Sequence, residues 1–186
     1  MHRYFPYTTS KVRCRALLGK RTDTKFIARL CSGQPTAWAQ LVDRWSPRLY
    51  SYIFYNTGEE TVARRLLHSV MAEVIHTVIS KPRLNNLSVL IFSIAHRQIL
   101  YYCRENRAVA KREIVPIESV VRQSNATINA IDGYFFNRFR QFSLETKQIL
   151  LLRYVCGVTL FELSQIVGQS EEHLLQTIER AKIYFQ

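Results

Sequence analysis

Four side chains near the C-terminus, His173, Gln176, Thr177 and Arg180, recur at helical spacing and have the chemistry to read base edges. His, Gln, Thr and Arg all carry groups that pair with the donors and acceptors of the DNA major groove. Upstream, Arg97, Tyr101 and Arg104 recur at i, i+4 and i+7, and Arg107 extends them toward Lys111 and Arg112. Guanidinium groups neutralise phosphates, and an exposed ring stacks on an unpaired base, so this set suits single-stranded or partly opened DNA. The alternatives are a helical hairpin that only packs and a solvated basic face. No comparable set points to catalysis: the chain has no Gly-rich phosphate loop, no HExxH and no nucleophile motif. Glu59-Glu60 sits at a helix start, where carboxylates already serve the helix dipole. A protein that is not an enzyme and needs no cofactor is expected.

The elements that must position these residues are legible. Thr159-Leu-Phe-Glu162 is a capping box, in which the threonine hydroxyl accepts from a backbone N–H while the glutamate reaches back. The helix it opens puts Leu160, Leu163 and Val167 on one face. Gly168-Gln169 supplies the turn, since glycine adopts the left-handed conformation that ends a helix without penalty. Ser170 caps the next helix, with Glu171 and Glu172 in its first turn, where the macrodipole favours negative charge. There Leu174, Ile178, Ala181 and Phe185 form the buried stripe and leave the reading set on the other side. Two short helices, a glycine turn and a polar face make a helix-turn-helix.

The rest of the chain is patterned almost wholly at helical period. Helices are expected at about 25–31, 36–56, 60–80 and 87–107, with Pro47 as a kink and residues 81–86 as a loop. On the helix at 36–56 the stripe is Trp38, Leu41, Trp45, Leu49, Tyr52 and Ile53. On the helix at 87–107 it is Leu87, Ile91, Ile94, Ala95, Gln98 and Tyr102. Residues 108–138 lose this patterning and hold Pro116, Asn125 and Gly133, so they are assigned as a linker. The fold class is therefore all-α: two small helical domains joined by a linker, residues 24–107 and 139–186, the C-terminal one a helix-turn-helix. Residues 1–23 are expected to form a basic N-terminal arm.

The net charge of +12 calls for a polyanionic partner. Its distribution locates the grip. Residues 24–107 hold eleven basic and five acidic side chains, whereas residues 139–186 hold five of each. The helix-turn-helix is neutral, so phosphate attraction must come mostly from the N-terminal two-thirds. Cys14, Cys31, Cys103 and Cys156 are far apart with no CxxC, and the histidines are scattered, which argues for reduced structural thiols in a cytoplasmic protein and against a metal site. No apolar run is long enough for a membrane span.

Taken together, the chain resembles the extracytoplasmic-function type of bacterial sigma factor over residues 24–107 and 139–186. Phe26-Ile-Ala-Arg-Leu, Gly33 and Ala37–Tyr50 are similar to the family's opening helices, and Ile91-Phe-Ser-Ile-Ala95 resembles its "WLYxIA" stretch. Ile149–Val155, Gly157, Glu162-Leu163, Ile166-Val-Gly168 and Arg180-Ala181 match its C-terminal domain in order and spacing. The resemblance implies a promoter-specificity subunit whose partners are core RNA polymerase, promoter DNA and an anti-sigma factor. By position, Arg97, Tyr101, Arg104 and Arg107 would face the opened -10 strand, and His173, Gln176, Thr177 and Arg180 the -35 groove. Arg64, Arg65, His68 and Ser69 would lie on the helix that docks on polymerase.

Two departures separate this chain from the family pattern. Where the docking helix usually reads like "DAEDLVQEVF", this one reads Val62-Ala-Arg-Arg-Leu-Leu-His-Ser-Val-Met71, with Arg64 and Arg65 in place of acids. The family's basic "TVKSRLxRA" becomes His173-Leu-Leu-Gln-Thr-Ile-Glu-Arg-Ala181, which leaves the reading helix slightly acidic. Opposed like charges cost affinity at an interface. The departures therefore favour an alternative: a degenerate sigma-like interaction protein, a decoy or an adaptor, that directs no promoter. A plain helix-turn-helix regulator acting without polymerase fits less well, because the basic charge lies outside the reading helix.

Overall fold

The computed structural model describes residues 20–80, 84, 86–106, 139 and 141–183. Arg107, Cys14, Phe185, most of the basic arm and the 108–138 linker lie outside the described residues. The order is α1 (Lys20–Cys31), α2 (Pro35–Thr57), α3 (Glu60–Ser80), α4 (Leu87–Glu105), α5 (Leu144–Leu150), a π-helix (Leu151–Val155), α6 (Leu160–Val167) and α7 (Glu171–Ile183). The described residues contain no strand, as the helical period requires. No described helix is long and apolar enough to cross a membrane.

Local chemistry explains the boundaries. Pro35 opens α2, where its fixed φ suits the first helical turn. Gly58 closes α2 at φ 72°, and its N–H bonds to the Phe54 carbonyl. The Asn86 side chain caps α4 by accepting from the Val89 N–H at 3.1 Å. The helix-turn-helix is built as its sequence dictates: both halves of the Thr159/Glu162 capping box form, and Gly168 takes the left-handed conformation at φ 75°. Ser170 then accepts from the His173 N–H at 3.3 Å.

Three features depart from the sequence reading. First, α1 begins at Lys20 rather than at 25, because no proline or glycine interrupts Lys20–Lys25. Second, Ala37 is wholly buried on α2 whereas Trp38 is only partly covered, so the inner stripe runs one residue to the side at its start. Third, the chain widens into a π-helix at Leu151–Val155. Helices of that type mostly occur as single-turn insertions. Around this one Cys156 N–H bonds to the Leu151 carbonyl, Val158 N–H to the Leu152 carbonyl, and Arg153 Nη1 to the Val158 carbonyl.

The core is continuous from the N-terminal helices into the helix-turn-helix. Phe92 of α4 meets Trp45 and Tyr52 of α2 edge-on, with centroids 5.8 Å and 6.0 Å away. Helix α6 lies against α4, while α5 and the π-helix lie against α2. Polar contacts cross this seam too: Asn86 Nδ2 donates to Glu162 Oε1 at 3.0 Å, and Cys156 Sγ lies 3.9 Å from the Arg48 carbonyl.

Candidate nucleic-acid interface

Packing of Ile91, Ile94, Ala95 and Ile99 inward turns the opposite face of α4 to solvent. Arg97, Tyr101 and Arg104 are all exposed there, one above another along the helix. Tyr101, 67% exposed, is a large ring left uncovered on an otherwise basic strip, which is what a stacking platform requires. Arg104 makes no ion pair among the described residues, so its charge is available.

Arg97 is held differently. Its guanidinium forms an ion pair with Glu73 of α3, and Gln98 Nε2 donates to the other carboxylate oxygen at 2.9 Å. Burial pushes the Glu73 pKa up. Hydrogen bonds from Gln98 and Arg97, with the charges of Arg97 and His76, outweigh that and hold it below the ordinary value. Glu73 is a member of this site that the sequence did not reveal. It borders the buried stripe of α3, and only the approach of α4 gives it partners.

On α7, Leu174, Ile178 and Ala181 are buried. His173, Gln176 and Arg180 are exposed together on the outer side, and Thr177 is half-buried between them. The Thr177 hydroxyl donates to the His173 carbonyl at 2.9 Å, so its proton is engaged within α7 while its oxygen can still accept. Arg180 makes no ion pair among the described residues, whereas Lys182 pairs with Glu179 at 2.6 Å. Glu171, Glu172 and Leu175 share the exposed surface, which keeps the helix acidic and weak toward phosphate.

The third set lies on α3. Arg64, Arg65, His68 and Ser69 are all exposed on its outer face. Arg64 is neutralised within its own helix by Glu60 Oε1, at 2.6 Å and 3.0 Å from Nη2 and Nε. Arg65 has no such partner among the described residues. Beyond them the same face continues through Ala72, Ile75 and Ile79, with Ile79 60% exposed. That apolar continuation is visible in the 65, 68, 72, 75, 79 spacing, but a few exposed apolar side chains on a helix carry no distinctive sequence signal. No group of three or more metal-ligating side chains occurs among the described residues.

No family model matches the sequence, and no curated protein matches it. Solved structures do. CnrH, in its complex with the cytosolic domain of CnrY, superposes with a TM-score of 0.65 at 16% identity, covering 87% of this chain and 93% of that one. The sigma factor RpoE of Bartonella quintana, in complex with the anti-sigma factor NepR, gives 0.62 at 16% identity over 80% and 93% of the two chains. The fold is sigma-like.

Proposed function

We propose that this chain is a sigma-like transcription initiation factor that binds core RNA polymerase and directs it to promoters. The observation that carries the reading is the joint exposure of two sets on one sigma-like fold: Arg97–Tyr101–Arg104 on α4 and His173, Gln176 and Arg180 on α7. The first suits an opened strand, because it offers positive charge and a bare ring. The second suits base edges in a major groove, because it offers hydrogen bonds with little phosphate attraction. A factor so built binds free DNA weakly and gains specificity on polymerase. Docking falls to α3, where Arg65, His68, Ser69, Ile75 and Ile79 offer a mixed polar and apolar face. An anti-sigma protein is the further partner this reading brings, since RpoE of Bartonella quintana was solved with one.

Co-purification of the tagged protein with core RNA polymerase, followed by run-off transcription on genomic fragments, tests the proposal. Stable association with new promoter-specific transcripts is expected. A folded protein that fails to bind core would sink it. The second reading, a sigma-like decoy or adaptor, is favoured by the exposed Arg65 on α3 and by the acidic surface of α7. It predicts protein-partner binding with no promoter-dependent transcript.

A further inference from the structure

Between α1 and α2 lies an open pocket of about 550 Å3, lined by Lys25, Phe26, Arg29, Gln40, Asp43 and Arg44. None of these residues belongs to the α4, α7 or α3 sets. The volume falls in the range of small-molecule sites, roughly 300–1,000 Å3. Its wall carries three cations against one carboxylate, and none of the four makes an ion pair among the described residues. Arg64, by contrast, is matched on its own helix by Glu60. The lining therefore carries a net positive charge at an open concavity, where neighbouring cations reinforce one another's field.

Two of the three cations are also held in place. Arg29 Nε donates to Gln34 Oε1 at 3.1 Å, which leaves its terminal nitrogens for another acceptor. The Arg44 guanidinium lies over the Trp45 ring, 5.6 Å from the centroid. A guanidinium so fixed loses less freedom on binding an anion, and its fork geometry matches phosphate oxygens. Phe26 adds an aromatic wall that is half-buried, and Asp43 with Gln40 adds groups that accept hydrogen bonds from hydroxyl or amino donors. A nucleoside phosphate would meet cations with its phosphates, Phe26 with its base and Asp43 with its ribose hydroxyls.

We propose that the α1–α2 pocket binds a free nucleoside phosphate, with Lys25, Arg29 and Arg44 on the phosphates and Asp43 on the sugar. The proposal does not depend on promoter recognition, and its failure would leave that reading untouched.

Titration calorimetry of the full chain with ADP, dADP and inorganic pyrophosphate tests it, with a short oligothymidylate as competitor. Saturable binding of ADP at one site per chain is expected. Arg29→Ala and Arg44→Ala should each weaken it about tenfold, as loss of a charge-assisted bond does. Lys182→Ala, which removes an equal charge on α7, should leave it unchanged. Asp43→Asn should narrow the preference for ADP over dADP. Arg44 is exposed and Arg29 half-buried, and neither belongs to the hydrophobic core, so circular dichroism of the variants should match the parent. Absence of saturable ADP binding by the folded protein overturns the proposal, as does unaltered affinity in both arginine variants. Pyrophosphate binding as tightly as ADP overturns the nucleoside assignment. Displacement of ADP by oligothymidylate at lower concentration assigns the pocket to a DNA strand instead.

Discussion

At the scale of single residues, Glu73 decides how much of the α4 face is free. Its carboxylate occupies Arg97, one of the cations expected to hold an opened strand. Glu73→Gln should release that guanidinium, tighten binding to a single-stranded oligonucleotide and steepen the dependence of log affinity on log salt by about 0.7, the increment of one added phosphate contact. Fluorescence anisotropy across a salt series would show this. Lower affinity with an unchanged slope would mean that Glu73 orients Arg97 rather than sequesters it. His96 makes a different prediction. It is half-buried, with Nδ1 3.4 Å from the Tyr52 hydroxyl, and burial pushes its pKa down while Glu145 partly offsets this. A group whose folded pKa is depressed takes up its proton more readily when unfolded. Its contribution is complete above about 6.5, the ordinary histidine value, and is lost as pH falls below that. Urea midpoints measured between neutral and mildly acidic pH should decline in the parent and flatten in His96→Gln. Cys156, whose thiol pKa burial pushes far up, should resist alkylation until the chain unfolds.

At the scale of elements, the caps carry more than their own helices. Glu162 closes the α6 capping box through Oε2 and accepts from Asn86 through Oε1, while Asn86 caps α4 through its own oxygen. One carboxylate and one amide therefore join the starts of two helices that lie on opposite sides of the linker in sequence. Asn86→Asp tests this. Aspartate is as good a cap as asparagine, so a purely local role predicts no loss. The link across the seam predicts destabilisation on the order of 1–2 kcal/mol, because a donor becomes a second carboxylate facing Glu162. Thr159→Ala should cost about 1 kcal/mol as a simple cap loss. Chemical denaturation of both variants would separate the two cases.

At the scale of the whole molecule, the shared core predicts that the helix-turn-helix and the N-terminal helices unfold together. Leu163, wholly buried on the helix that lies against α4, is the position to test. Leu163→Ala should cost about 2–5 kcal/mol, the usual range for a core leucine. The near-ultraviolet signal of Trp45 and Tyr52 on α2 should be lost at the same denaturant concentration as the helical signal. Two separate transitions would mean that the halves are stable alone and that their contact is incidental.

What could be read without coordinates was whatever the backbone settles within a few residues. The capping box at Thr159, the left-handed Gly168, the Ser170 cap and the Leu174, Ile178 and Ala181 stripe of α7 follow from hydrogen bonds and periodicity spanning four to eight positions. On α4, by contrast, the expected stripe included the half-buried Gln98 and Tyr102 and omitted the wholly buried Phe92 and Ile99. The exposure of Arg97, Tyr101, Arg180 and Gln176 follows too, because a stripe buried on one side fixes the other. Tertiary packing alone decided which of those side chains are free. Glu73 meets Arg97 from a different helix, Asn86 meets Glu162 across 76 positions, and Lys25, Arg29 and Arg44 line one pocket from two helices. Such pairings depend on where helices cross, and crossing geometry is set by side-chain packing of the assembled core rather than by local sequence.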